Sequence, residues 1–497
     1  HRVADEAFLR RYYRHVAAED MVDRDPIDVF GAAASHRRVA QQRPQGRSVV
    51  TVYTPTVAEH GWASGHTVVQ VVTDDMPFLV DSITMALSEH EHGIRLVVHP
   101  QLVVRRDITG ELLEVSDFGV NDPRLATTPD AMVESWMHVE VDRVDDLSEH
   151  KRIETLLAAV LRDVREAIED WERMSQRAVE IADELGGSEI PVPEGEVEEA
   201  QELLRWLADD HFTFLGYREY LLDQVDGEDV LRAVTGSGLG ILRSDQVLSG
   251  SFAKLPPEVR AKAREKRVLV LTKANSKATV HRPAYLDYIG VKTFDQDGDV
   301  IGERRFLGLF TSAAYAESVM RIPVLRRNVQ RVIEQSGFAL TSHSGKDLLQ
   351  VMETYPRDEL FQTTAEELLP TALAVVHLQE RRQLRLFMRR DDYGRYLSFL
   401  VYLPRDRYNT DVRERIQAIL LEETDGKSID FTARVGESVL ARLHFVIRMR
   451  PNQMLPEFDL PALEKRLVAA SRAWGDDFSV TLADQVGEER AARFILM

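Results

Sequence analysis

The sequence predicts an α+β chain in which two ferredoxin-like βαββαβ units flank a mixed α/β unit, with connecting helices. Three observations carry that prediction. Residues 383–486 read as strand QLRLFMRRD, strand RYLSFLVYLPRD, helix NTDVRERIQAILLEETDG, strands SIDFTARVG and SVLARLHFVIRMRP, helix PALEKRLVAASRAWG and strand DFSVTLAD. Leaving aside the first strand, that order is βαββαβ. Residues 47–180 repeat the plan with their own prefatory strand, although no final strand is evident. Between the two, GGSEIPVPEGEVEE (186–199) gathers Gly, Pro and Glu and marks the best linker in a chain of 497 residues, long enough for two to four domains.

The elements follow in order. DEAFLRRYYRHVAAEDM is an amphipathic docking helix, and a polar loop ends in QQRPQGR. SVVTVYTP and HTVVQVVT are β-branched strands interrupted by EHGWASG, and FLVDSITMALSEHEHG is a helix with a glycine stop. IRLVVHPQLVVRRD turns through Asp107 to Gly110 into ELLEVSDF, MVESWMHVEVDRV is another strand, and a long helix runs over 147–174. After the linker come the helix EEAQELLRWLADD and the strands HFTFLGYREYLL, RVLVLTKANSKATV, YLDYIGVKTFD and DVIGERRFLGLFTS, the last two joined by the hairpin signal DQDGD (295–299). Pro323 suits the first turn of the helix PVLRRNVQRVIEQSG, and helical segments continue to about residue 382.

Composition narrows the function. A formal charge of −20 argues against nucleic acid as a partner, since phosphates call for an electropositive face. The absence of cysteine removes disulfides, thiolate catalysis and Cys-type zinc sites, and fits a reducing compartment. No apolar run reaches the roughly 18–20 residues that span a bilayer, and HRVADEAFLRRYYRHV lacks a signal-peptide core, so no membrane contact and a cytoplasmic location are expected. The chain opens on His1 and stops at AARFILM within a helical pattern, as part of a larger protein would.

Few catalytic motifs survive inspection. TGSGLG (235–240) spaces its glycines as G-x-G-x-G and not as a dinucleotide turn. In SHSGKD (342–347) Asp347 stands where a phosphate loop needs Ser or Thr, so Ser344 or Thr341 reads as a helix cap. His90 and His92 are two apart and on a helix diverge by about 200°, too far to share a metal. Asp295, Asp297 and Asp299 lack the later ligands of a calcium loop.

The strand-to-helix turns remain, TDDMPF (73–78) and LPRDRYNTD (403–411). There a helix N-terminus offers unpaired N–H groups to a carboxylate while a neighbouring acid can hold an ammonium, the two ends of a free amino acid. The plainer reading makes Asp74 or Asp75, and Asn409 or Thr410, N-caps contributing about 0.5–2 kcal/mol each. Candidate effector-binding or domain-contact residues are therefore Thr73, Asp74, Asp75, Met76, Phe78, Arg405, Asp406 and Asn409.

Several long blocks are familiar together: HTVVQVVTDDMPFLVDSIT, RIPVLRRNVQ, HSGKDLLQVMETYPRDELFQ, LFMRRDDYGRYLSFLVYLPRDRYNT and ARLHFVIRMRP. As a set they resemble the N-terminal region of the large bacterial NAD-specific glutamate dehydrogenase family. The resemblance implies a helical segment (1–46), a first ACT-like domain with a long helix (47–180), a PAS-like domain (195–330), a helical connector (331–382), a second ACT-like domain (383–486) and the start of a further helix (487–497). It also implies a parent enzyme that oxidatively deaminates L-glutamate to 2-oxoglutarate and ammonia with NAD. No dinucleotide crevice or substrate lysine is recognisable here, so no catalytic, cofactor-binding or metal residue is carried over. Control and assembly are the expected roles, with the chain itself as partner in a homo-oligomer such as a tetramer, and with an amino-acid effector; an amino-acid-sensing module or a pure scaffold are the alternatives. One departure matters: ligand-binding ACT domains usually place glycine after the proline of the first turn, and here Phe78 follows Pro77.

Overall fold

The computed structural model describes residues 2–187, 190–225, 228–244, 252–254, 262, 264–378, 381–436, 438–450, 457–472 and 487. Three antiparallel sheets organise it.

The first unit begins with helices α1 (Arg2–Tyr12), α2 (Glu19–Val22) and α3 (Pro26–Val39), the last capped by Asp25 with Pro26 in its first turn. Strand β1 (Val49–Tyr53), the single turn α4 (Val57–His60), β2 (Thr67–Asp74), α5 (Leu79–Glu89), β3 (Ile94–Val98), β4 (Gln101–Arg106), β5 (Leu112–Val115) and β6 (Ala131–Val141) follow. They pair in the order β1-β2-β6-β4-β5, with β3 also on β6. IRLVVHPQLVVRRD is thus two strands broken at His99-Pro100, both laid against β6, because Pro100 has no N–H for the ladder. Strand β1 lies at the edge beside β2, where the last strand of a ferredoxin-like unit belongs, which is why no final strand is evident in the sequence. Both faces of this sheet are covered, so β2 reads as TVVQVVT without alternation and all seven of these residues are buried.

Helix α6 (Leu147–Gly186) is longer than the 147–174 pattern predicts, 40 residues in all, and runs into the first glycine of the supposed linker, with Gly187 as its C-cap. Its first half buries Ile153, Leu157, Val160, Leu161 and Val164 in a core with α5 and β2, and its second half buries Met174, Ala178, Ile181 and Leu185 against the middle unit. The middle unit opens with α7 (Glu196–Trp206) and carries β7 (Phe212–Val225), β8 (Glu228–Ala233), β9 (Leu239–Gly240), β10 (Phe252–Lys254), β11 (Leu269–Lys277), β12 (Tyr285–Phe294) and β13 (Val300–Phe310), in the order β10-β8-β7-β13-β12-β11 with β9 on β7. DQDGD is the β12–β13 hairpin turn: Asp295 accepts from the N–H groups of Asp297 and Asp299, and Gly298 takes φ 78°, which suits glycine.

Short helix α8 (Ser312–Ala316) leads to a bundle of α9 (Leu325–Ser336), α10 (His343–Thr354), α11 (Arg357–Gln362) and α12 (Ala365–Leu378). Two expectations change here. Pro323 lies two residues ahead of α9, which starts after Val324 in an unusual φ of 70°, and the cap of α10 is Ser342, accepting from Gly345 N–H at 3.0 Å, rather than Thr341 or Ser344.

The last unit has β14 (Arg385–Arg390), β15 (Tyr396–Pro404), α13 (Thr410–Thr424), β16 (Ser428–Arg434), β17 (Leu440–Arg448) and α14 (Leu460–Ala470), paired β14-β15-β17-β16. The prefatory strand β14 again sits beside the first strand of the motif, as β1 does in the first unit. The predicted strand DFSVTLAD and the helix predicted from 487 lie outside the described residues. No helix among those described is long and apolar enough to cross a membrane.

Candidate functional site

Strand β2 ends at Asp74, opposite Glu134 of β6, and the turn 75–78 carries the chain across the sheet edge into α5. Neither aspartate caps that helix. The residue before it is Phe78, with φ 68° and no capping side chain, so the N-cap expectation for Asp74 and Asp75 is overturned. Asp74 instead bridges two guanidinium groups, Arg43 Nη2 at 2.8 Å on Oδ1 and Arg165 Nη1 at 2.7 Å on Oδ2. Asp75 accepts from the Ser135 hydroxyl at 2.5 Å and from Gln101 Nε2 at 2.8 Å. The Thr73 hydroxyl meets that of Ser48 at 2.8 Å and accepts from Arg165.

Behind the turn lies a buried ion network. Arg43 and Glu134 have fully buried side chains, and Arg43 Nε donates to Glu134 Oε1 at 2.7 Å. The same carboxylate accepts from Arg106 Nε (2.6 Å) and Nη2 (2.9 Å) and from Trp136 Nε1 (2.9 Å). Four N–H groups on one carboxylate satisfy it as fully as its lone pairs allow. Gly110, at φ 90°, lets this loop close, because a Cβ there would stand 2.3 Å from the Arg43 carbonyl oxygen.

On its other side the turn meets the middle unit. Met76 and Phe78 pack on a core shared by α5, α6 and the residues Ala274, Ala278, Val280, Leu286 and Leu307 of the middle sheet. The Phe78 ring lies 4.7 Å from the His281 ring, and Ser82 Oγ on α5 accepts from His281 N–H at 3.0 Å. Burial lowers the His281 pKa, aided by the charge of Arg282.

The second turn is different. Arg405 donates to the Gly436 carbonyl at 2.9 Å, Asp406 pairs with Arg382 at 3.6 Å with both side chains exposed, and Asn409 caps α13 by accepting from Val412 N–H at 2.9 Å. The two turns share a place in the fold but no chemistry, and among the described residues no hydrogen bond or ion pair links the two sets.

Sequence reading did not single out Arg43, Glu134, Arg106, Arg165 or His281. One signal was available: Glu134, His138 and Glu140 sit on a strand whose neighbours are apolar, and a charged residue inside a doubly covered sheet needs a partner. Glu140 illustrates this; burial pushes it up, but hydrogen bonds from His138 and Arg24 bring its pKa down to about 2.

A second set of buried charges joins the middle unit, bundle and last unit. Lys273 Nζ reaches Asp287 (2.6 Å) and Asp358 (3.2 Å), Arg389 pairs with Glu359 at 2.7 Å, and the Arg448 guanidinium lies between the rings of Tyr285 (3.7 Å) and Tyr396 (4.8 Å). Burial raises Glu359, yet Arg389 and His444 hold it well below the usual carboxylate range. Such groups fix units against one another; among the described residues no cluster of His and acids could hold a metal ion. Two cavities of about 320 and 310 Å3 accompany them, one at the junction of middle unit, bundle and last unit, the other between α2–α3 and the first sheet.

Comparison with known proteins agrees with this layout. Three descriptions of one enzyme family match in chain order: Glutamate dehydrogenase, ACT1 domain, over residues 8–157; Glutamate dehydrogenase, helical motif 1, over 322–381; and Glutamate dehydrogenase, ACT2 domain, over 385–475. The chain is 38% identical over 490 residues to the NAD-specific glutamate dehydrogenase of Pseudomonas aeruginosa, covering 98% of this chain and 30% of that protein. It is 38% identical over 499 residues to the one of Halomonas elongata, with coverage of 98% and 30%. To that of Mycobacterium tuberculosis it is 33% identical over 477 residues, with coverage of 93% and 28%. The chain thus spans less than a third of the length of these relatives, and with three of their family's domains in order it belongs to the NAD-specific glutamate dehydrogenase family.

Proposed function

We propose that this chain is the regulatory and assembly region of a large NAD-specific glutamate dehydrogenase, whose whole protein oxidatively deaminates L-glutamate to 2-oxoglutarate and ammonia in a cytoplasmic homo-oligomer. The middle unit is read as PAS-like, supported by its antiparallel sheet in which the last strand, β13, closes back on the first, β7. NAD is used elsewhere in the protein and not by this segment.

One observation carries the reading. Phe78 stands where ligand-binding ACT domains usually place glycine, adopts the left-handed backbone that glycine favours, and packs its ring toward His281 of the middle unit. An amino acid held at this turn would need the space that the ring fills, so the turn is read as a docking contact between units. A non-glycine residue at φ 68° costs on the order of 1 kcal/mol, which the packing offsets.

The test uses the full-length enzyme. Phe78→Ala should speed amide hydrogen exchange in α5 and in residues 279–282 together, while calorimetry with a panel of amino acids should give the same heats for the natural enzyme and Asp75→Ala. An amino acid whose heat disappears in Asp75→Ala would sink the docking reading in favour of sensing at the turn. Glutamate-dependent NAD reduction by residues 1–497 alone would overturn the noncatalytic assignment.

A further inference from the structure

The cavity at the three-unit junction combines features that no docking role requires. Lys292 lines it from β12, 3% exposed, and among the described residues its ammonium donates only to the Lys262 (2.6 Å) and Glu265 (2.7 Å) carbonyl oxygens. That leaves one of three N–H groups unused. Among the described residues no carboxylate comes within ion-pair distance of it; Glu265 and Glu303 attract it from farther off, but burial outweighs them and lowers its pKa. A buried ammonium with no carboxylate in direct contact is costly, and such groups are retained mostly where an anion meets them. At the rim stands Arg331, exposed on α9 and with no hydrogen bond or ion pair among the described residues, and beside it Arg327, which donates to the Glu194 carbonyl.

The backbone supports the same place. Val324 lines the cavity with φ 70°, a conformation that a β-branched residue adopts only under constraint, and Glu199 accepts from its N–H at 2.6 Å. Strained positions of this kind gather at ligand clamps and switches. The rest of the lining is largely neutralised within itself: Lys262 with Asp392, Arg267 with Glu265, Arg389 with Glu359. What is left without an ion pair among the described residues is Lys292 inside and Arg327 and Arg331 at the mouth, against Glu196, which accepts from the Val268 N–H, and the exposed Glu366.

We infer that this cavity binds a small organic or inorganic dianion, with one oxyanion group on the Lys292 ammonium and the other charge met by Arg331. Its volume of about 320 Å3 corresponds to roughly ten water molecules, room for a four- or five-carbon dicarboxylate or for a phosphate with its hydration. Because the walls come from the middle sheet, the bundle and the last unit, a bound dianion ties three elements together and favours the arrangement in which they meet. The inference concerns binding and stands whether or not the chain regulates an enzyme.

Succinate and inorganic phosphate, each titrated by calorimetry into the full-length enzyme at low ionic strength, are the two arms, and a response to one identifies which oxyanion chemistry fits. Binding by at least one is expected, with Lys292→Met weakening it about tenfold or more and Arg331→Ala by several-fold. Lys292→Met should leave the melting temperature of the ligand-free protein unchanged or raised, since it removes an uncompensated buried charge. Arg331→Ala changes an exposed side chain and keeps the test open should the core variant fail to fold. The inference is overturned by no heat with either probe, by equal affinity in Arg331→Ala, or by a Lys292→Met protein that is less stable yet binds as tightly, which would make Lys292 a strut between two carbonyl groups.

Discussion

Replacing Glu134 by glutamine tests how the first turn is held. The carboxylate has no solvent exposure and accepts four N–H groups, from Arg43, Arg106 twice and Trp136. The amide keeps one acceptor oxygen but aims its own two donors at a guanidinium, so at least two of those bonds are lost and Arg106, itself 2% exposed at the side chain, is left with buried charge and no anion. Breaking a buried pair by removing one partner costs about 3–5 kcal/mol, and the remaining oxygen places this variant near the lower end, about 3 kcal/mol. Arg43 keeps Asp74 as a partner, which limits the damage. Urea unfolding followed by tryptophan fluorescence is suited to the measurement, because Trp136 donates to the very carboxylate that changes. Combining Glu134→Leu with Arg106→Leu should recover much of the loss, as apolar replacement of buried ion groups generally does. A Glu134→Gln protein within about 1 kcal/mol of the natural one would refute the claim that the Glu134 charge holds the buried guanidinium groups behind the turn.

Three other outcomes are expected. His36 is fully buried with Nδ1 on the Tyr12 hydroxyl (2.7 Å) and Nε2 on the Val71 carbonyl (3.1 Å), and burial lowers its pKa to about 3. The unfolded chain therefore takes up the proton first; stability is full above about pH 6.5 and falls by about 1.4 kcal/mol per pH unit below it, some 2 kcal/mol by pH 5. Thermal scans from pH 8 to 5 should show a shallower decline in His36→Gln, and identical slopes would contradict the assignment. Asn409→Ala should cost about 1 kcal/mol as a lost cap, while Asp74→Ala should cost more because it removes one carboxylate shared by two guanidinium groups, leaving the buried Arg43 with Glu134 alone and Arg165 with Glu169 at 4.0 Å; denaturant midpoints rank the two. Arg448→Met should change stability by less than about 1 kcal/mol, since the loss of two ring contacts is offset by removing a buried guanidinium whose three nitrogens lack acceptors; a loss above about 3 kcal/mol in the same assay would show that ring stacking dominates.

Element types were legible because period and turn chemistry are local: β-branched runs, the DQDGD turn and the glycine stops each lie within a few residues. The position of β1 and β14 beside the first strand of each unit was not, since edge placement is decided by pairing across the sheet. The same limit hid the site. TDDMPF carries every residue type of an N-cap, yet Asp74 is drawn off by Arg43, 31 positions earlier, and Arg165, 91 later, and a buried charge pair outweighs a cap worth about 1 kcal/mol. Asn409 does cap its helix because no buried cation competes for it. Phe78 was conspicuous as a departure from glycine, but its left-handed φ and its neighbour His281 are properties of the folded chain.

The way the units are joined decides where this chain can bend. Helix α6, about 60 Å long at 1.5 Å per residue, belongs to two cores at once: Ile153 to Ala167 lie with α5 and β2, Met174 to Leu185 with the middle sheet. Asp170, between the two stretches, accepts from Gly240 N–H and pairs with Arg243, tying the TGSGLG loop of the middle unit to the same helix. Rotating the first unit against the middle one would expose apolar surface on both halves of a single rigid rod, along with the Phe78 contact. The last unit is attached to the bundle by apolar packing of Leu400, Tyr402 and Leu440 and by the Arg389–Glu359 pair, and to the middle unit by the Arg448 guanidinium over Tyr285, beside the cavity that Lys292 lines. Charged contacts bordering a cavity can exchange partners or take up an anion without opening a hydrophobic core, so the face between the last and middle units yields more readily than the first junction. An anion bound at the proposed site would therefore act where the middle unit, bundle and last unit meet, while the first turn stays held by the Phe78 packing.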